Sequence, residues 1–135
     1  MRYIALIDGK KSAYGVTFPD IDGCTAMGAT IDEALSNAGA ALRDIAELTE
    51  RAGQELPEPR AIEELRRDPD VSAALADGAS LAAVPLVRFT GRPTKANLSI
   101  DSGVLEAIDD EARRRKLTRS ALVELLARHA LADMP

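Results

Sequence analysis

The chain has one cysteine, one histidine and no tryptophan, with only two tyrosines and two phenylalanines among its 135 residues. A single thiol cannot close an intrachain disulfide. With a single imidazole it cannot supply the three or four ligands of a zinc site either, unless carboxylates or a second chain contribute. Neither a metal nor another cofactor is therefore expected. The shortage of aromatics removes the platforms on which RRM-like and OB-like domains stack bases, and it leaves the core to Ala, Leu, Ile and Val. Long apolar runs are also missing: nothing approaches the roughly 18 residues of a membrane span. The N-terminus enters Arg2-Tyr3-Ile4-Ala5 without a signal-like apolar segment. A cytoplasmic protein without a membrane partner is the expectation.

What is present is globular in character, with 46% hydrophobic and 29% charged residues. The length suits one modest core or two small modules. The net charge of −5 argues against a protein that grips nucleic acid over its whole surface, but the charge is unevenly placed. Residues 1–89 hold nine Lys or Arg against fifteen Asp or Glu, a balance of −6, whereas residues 90–135 hold eight against seven, a balance of +1. Two halves with different partners are implied.

Arg2 to Leu6 and Tyr14 to Phe18 predict a β-hairpin around the turn Asp8-Gly9-Lys10-Lys11-Ser12, and Cys24 to Gly28 a short third strand. Thr30 followed by Glu33 is a capping box. The apolar spacing of Ile31, Ala34, Leu35, Ala38, Leu42 and Ile45 then predicts a helix over 31–52, stopped by Gly53. Two short helical stretches, 61–67 and 71–76, are separated by Asp68-Pro69, and residues 81–89 return to a strand whose Pro85 places it at a sheet edge.

Residues 90–94 form a linker. After it Lys95, Asn97 and Ser99 alternate with Ala96, Leu98 and Ile100 at the period of a half-buried strand. Asp101 caps a helix with the stripe Val104, Leu105, Ile108 and Ala112, which ends in Arg113-Arg114-Arg115-Lys116, and Thr118 caps a second helix carrying Ala121, Leu122, Leu125, Leu126 and His129. One strand and two short helices cannot bury this stripe alone, and an unpaired strand leaves its backbone groups open. A homodimer that pairs the two strands antiparallel solves both problems. It also projects Lys95, Asn97 and Ser99 from a two-stranded ribbon that fits the major groove.

This strand-helix-helix order resembles a ribbon-helix-helix DNA-binding domain over residues 95–135. By that resemblance Lys95, Asn97 and Ser99 read base edges, Asn97 bidentately on adenine, and the amides of Arg119 and Ser120 hold a phosphate. Lys116 then occupies a turn position that often carries glycine and must adopt a left-handed backbone. The competing reading is a helical hairpin used only to dimerise, its polar strand face solvated.

Phe18-Pro19-Asp20-Ile21-Asp22-Gly23-Cys24, then Gly28-Ala29-Thr30-Ile31-Asp32-Glu33-Ala34 and Asn37-Ala38, resembles the HicB-type antitoxin pattern. That resemblance implies an α+β fold: residues 1–89 form a partial RNase H-like antiparallel sheet with one main helix, and the ribbon-helix-helix domain follows. It further implies that residues 1–89 bind and neutralise a small, basic, mRNA-cleaving toxin of the HicA type, while the C-terminal module binds operator DNA and represses its own operon. The negative charge of residues 1–89 is independently consistent with a basic partner. Whether dimers join into tetramers through the N-terminal sheets stays open.

Three other readings compete. The first is a ribbon-helix-helix regulator whose N-terminal module senses a ligand, with Gly23-Cys24 and Gly28 lining a pocket. The second is a nuclease built on Asp8, Asp20, Asp22 and Asp32. These carboxylates read instead as turn and helix-start residues, Asp20 and Asp22 bonding within their own turn, so no enzyme is expected. The third is a nucleophilic role for Cys24 or a catalytic or ligand role for His129, against which a buried thiol and a packed or dipole-complementing imidazole are expected.

Overall fold

In the computed structural model, which describes residues 1–132, strand β1 (Arg2–Lys10) alternates between two apolar layers. Tyr3, Ala5 and Ile7 enter one layer, and Ile4 and Leu6 the other, so β1 reads as an almost unbroken apolar run because both its faces are covered. Strands β2 (Ala13–Thr17), β3 (Thr25–Gly28) and β4 (Ser80–Pro85) complete an antiparallel sheet in the order β3-β2-β1-β4. The hairpin and the third strand lie where the sequence pattern predicts them; the edge strand, expected over 81–89, ends at Pro85, and residues 86–89 form no strand. Pro85 closes β4 opposite Arg2, at an edge where its missing N–H costs little. The hairpin's turn is displaced, however. Asp8 and Gly9 belong to the ladder, opposite Gly15 and Tyr14, and the chain reverses at Lys11 and Ser12. Ser12 accepts φ 76° there, its N–H donating to the Ala29 carbonyl at 3.1 Å.

One face of the sheet is covered by α1 (Ile31–Arg51). Thr30 Oγ1 accepts from the Glu33 N–H at 3.1 Å, and the Glu33 carboxylate reaches back to the Ala29 N–H at 2.9 Å, which supplies two otherwise orphaned donors at the helix start. The helix buries Ala34, Ala38, Gly39, Leu42 and Ala46, a row of mostly small side chains that lets it lie close on the strands. Gly28 marks the tightest approach: a β-carbon there would stand 2.4 Å from the Ala34 nitrogen. Nearby, Asn37 Nδ2 donates to the Met27 carbonyl at 2.8 Å and ties edge strand β3 to the helix.

Gly53, at φ 72°, follows the end of α1 as expected. The chain then leads to α2 (Ile62–Leu65) and α3 (Pro69–Ala76), which pack Leu65, Val71 and Leu75 on the opposite face, against Ile4, Leu6, Leu81 and Ala83. The Asp68-Pro69 break is itself the start of α3: Pro69 takes a first-turn position and Asp68 caps the Asp70 N–H at 3.0 Å. Three further bonds fasten the segment between α1 and α2. The buried Tyr3 hydroxyl donates to the Pro57 carbonyl at 2.7 Å, and Arg60 donates to Asp20 through its backbone N–H at 2.9 Å and through Nε at 2.5 Å.

The chain divides into two units, Met1–Arg88 and a second that begins at Phe89. The second unit contains α4 (Ser102–Arg114) and α5 (Arg119–Ala132). Residues 95–100, expected as a strand, form none in the single chain. A strand requires a ladder partner, and the expected partner is the same segment of another copy. The class is α+β, with an antiparallel sheet and one principal helix in the first unit.

Candidate functional site

The second unit is assembled by local signals. Asp101 Oδ1 accepts from the N–H groups of Gly103 at 2.9 Å and Val104 at 3.1 Å, starting α4. At the other end Lys116 takes φ 58°, the left-handed position that the resemblance required. The Leu117 N–H then bonds the Ala112 carbonyl at 2.8 Å and the Lys116 N–H bonds the Arg113 carbonyl at 3.2 Å, a Schellman stop without glycine. Thr118 Oγ1 accepts from the Ala121 N–H at 3.1 Å and opens α5. Ala112 and Leu122 are buried between the two helices, and the Arg128 guanidinium lies 4.3 Å from the centre of the Phe89 ring.

The cations of this unit fall into two groups. Arg113 donates to Asp110 at 2.6 Å, Arg114 and Arg115 both donate to Glu111, and Arg128 donates to Glu124 at 2.5 Å. Arg119 places Nε and Nη2 on the two Asp109 oxygens, each at 2.8 Å. Arg92, Lys95 and Lys116, by contrast, make no ion pair among the described residues. Three cations of the basic run, Arg113, Arg114 and Arg115, are thus neutralised by acids of α4. The unspent positive charge lies ahead of α4 and at the turn.

The Arg114 and Arg115 bonds to Glu111 hold its carboxyl down at about 2, against an ordinary value of 4.5. A depressed carboxylate contributes at all pH values above its ordinary pKa, and that contribution is lost as pH falls towards 2. The Glu111 side-chain carboxyl resonance should accordingly titrate with a midpoint near 2. A midpoint near the ordinary value would mean that these arginines are not held.

The predicted reading residues Lys95, Asn97 and Ser99 are all exposed, as is every residue from 91 to 100. Leu98 is 69% exposed and Ile100 39%, so the apolar positions alternating with the reading triplet are uncovered in the single chain. The helix-start pair Arg119 and Ser120 sits at the first turn of α5 as expected, but the Arg119 side chain is committed to Asp109. Nothing in the sequence reading anticipated that pair, although the two residues face each other across a turn whose caps are legible.

In the first unit the four aspartates do not converge, and no group of three or more potential metal ligands occurs among the described residues. Asp8 lies in β1 rather than in a turn. Asp20 bonds Arg60 forty residues away rather than its own turn, and Arg60 Nη1 continues to Asp68 at 3.0 Å, holding that carboxyl below the usual carboxylate range. Cys24 is buried, and burial pushes its thiol pKa up, away from nucleophilic use. His129, expected to be packed or to complement a helix C-terminus, is exposed in the last turn of α5, where the second of these applies. Gly28 is closed over by α1, which fills the space a pocket there would need, and Gly23 holds a turn at φ 75°. Among the described residues no helix is long and apolar enough to cross a membrane.

A family model described as the HicB-like antitoxin of bacterial toxin–antitoxin systems matches residues 3–129. Among solved structures, the antitoxin HicB of Burkholderia pseudomallei is 32% identical and aligns over 100% of this chain and 99% of that one, with a TM-score of 0.52. The separately crystallised N-terminal domain of the Burkholderia pseudomallei antitoxin is 30% identical, covering 64% of this chain and 99% of its own, with a TM-score of 0.53. A chain of the HicA3–HicB3 toxin–antitoxin complex is 28% identical over 64% of this chain and 99% of its own, with a TM-score of 0.54.

Proposed function

This chain belongs to the HicB-like antitoxin family of bacterial toxin–antitoxin systems, and from that membership we propose that residues 1–89 neutralise a small, basic, mRNA-cleaving HicA-type toxin while residues 95–135 bind operator DNA as a homodimer. The linker is 90–94. A related antitoxin chain is known in complex with its HicA3 toxin, and the acidic balance of residues 1–89 suits a partner that must itself grip RNA phosphates. The role requires no catalysis by this chain, no cofactor, and a cytoplasmic setting where toxin and operator are found.

The observation that carries the DNA-binding half is the contrast within the second unit. The helices neutralise their own arginines, whereas Arg92 and Lys95 keep their charge beside exposed Asn97 and Ser99 and uncovered Leu98. Antiparallel pairing of residues 95–100 between two copies would satisfy their backbone groups and cover Leu98 and Ile100. It would leave Lys95, Asn97 and Ser99 facing the groove, with the Arg119 and Ser120 amides beside a phosphate.

Two assays test the halves. Co-expression with the product of the adjacent reading frame should restore growth that the product alone arrests; continued arrest would count against the toxin-binding half. Fluorescence anisotropy on a duplex from the region upstream of the gene tests the other. There Asn97→Ala should cost about 1–3 kcal/mol on that duplex and leave random-sequence DNA almost unaffected. Equal losses on both duplexes would remove Asn97 from base reading.

A further inference from the structure

The pair at the α4–α5 corner bears on how selective such a DNA-binding unit can be. Arg119 is the first residue of α5, where a phosphate would meet the helix N-terminus, and its Nε and Nη2 both lie 2.8 Å from Asp109 oxygens. Those two nitrogens form the edge of the guanidinium that takes a phosphate bidentately. The bond to Arg119 keeps the Asp109 carboxyl below the usual carboxylate range, so Asp109 is ionised at neutral pH and the pair has no net charge.

Resting on the DNA-binding reading above, we infer that Asp109 is a built-in counter-charge that withholds the Arg119 guanidinium from DNA phosphates, so that non-specific attraction stays low and sequence is read by the residues 95–99. Its physical basis is counterion release. A cation that reaches a phosphate displaces condensed counterions and strengthens binding to any sequence, whereas a cation already paired with a carboxylate contributes almost nothing. Asp110 and Glu111 treat Arg113, Arg114 and Arg115 in the same way, but those arginines lie at the C-terminal end of α4 and not at a helix start. Asp109 is the acid placed on the one arginine that begins α5.

The test measures binding of the full-length protein to a random-sequence 30-base-pair duplex and to the upstream duplex over a range of salt, for wild type, Asp109→Asn, Arg119→Gln and the double variant. Asp109→Asn should raise affinity for the random duplex roughly tenfold at 0.1 M salt and steepen the plot of log affinity against log salt by about two per dimer. The preference for the upstream duplex should fall. On the Arg119→Gln background the same substitution should change the slope hardly at all. Equal gains on both backgrounds would reduce Asp109 to one negative charge among several and overturn the inference. Weaker binding by Asp109→Asn would overturn it in the other direction, by making Asp109 a residue that presents Arg119 to DNA. Thermal melting of each variant excludes unfolding as the cause. If none of the four proteins binds either duplex, the DNA-binding reading itself falls; if wild type binds and the slope of Asp109→Asn is unchanged, only the role of Asp109 falls.

Discussion

If the proposed homodimer forms through residues 95–100, Leu98→Asp is expected to leave the protein monomeric and to abolish binding to the upstream duplex, while the secondary structure of the first unit persists. In the single chain Leu98 is 69% exposed and sits beside Ile100, also exposed, in a segment without ladder partners. A leucine gains about 1.5–3 kcal/mol on full burial, which is available here only if a second copy covers it. An unpaired carboxylate in that shared core would cost several kcal/mol, comparable with the whole stability of a small domain. Sedimentation velocity reports the oligomer and circular dichroism the retained fold. A wild-type oligomer with intact DNA affinity would mean that Ala96, Leu98 and Ile100 face outwards. The triplet Lys95, Asn97 and Ser99 would then be buried, because a one-residue shift exchanges the two faces of a strand.

The second large effect is a separation of activities. A fragment of residues 1–89 should neutralise the toxin almost as well as the full chain and show no binding to the upstream duplex. Every residue of the two apolar clusters in the first unit lies between Tyr3 and Leu86, so the truncation removes none of its core. The corresponding N-terminal domain of the Burkholderia pseudomallei antitoxin crystallises by itself. Growth rescue in the presence of the toxin checks the first half, and anisotropy the second. A folded fragment that fails to rescue would place part of the toxin-binding surface beyond residue 89.

What could be read from the sequence was what neighbouring residues decide. The cap of α1 depends on Thr30 and Glu33, three positions apart, whereas the left-handed Lys116 was implied by the ribbon-helix-helix resemblance. The hairpin, the long amphipathic helix and the edge strand each carry their own local signal, whereas the α+β class comes from the HicB resemblance; Pro85 ends the edge strand that the sequence pattern carries on to residue 89. The hairpin turn was misplaced by about two residues because Asp8-Gly9 has the better turn chemistry. Pairing of Asp8 with Gly15 and the Ser12 bond to Ala29 outweighed it. Partners distant in sequence were out of reach. Asp20 finds Arg60 forty residues on, and Arg119 finds Asp109 ten residues back across a corner, and periodicity carries no signal for either. The strand expected at 95–100 is a different case: the single chain forms none, and the partner proposed for it is a second copy. The apolar face expected of α5 is only partly used: the helix buries Leu122 near its start and leaves Leu126 and Leu131 uncovered, with His129 exposed in its last turn.

Inhibition of RNA cleavage in vitro tests the central claim most directly. The purified product of the adjacent reading frame would be incubated with messenger RNA and increasing amounts of the full chain. Neutralisation by binding predicts that cleavage falls steadily and stops as the chain approaches the toxin's concentration, with a stable complex recovered on gel filtration. Undiminished cleavage in the presence of excess folded chain, with the two proteins eluting apart, would contradict it.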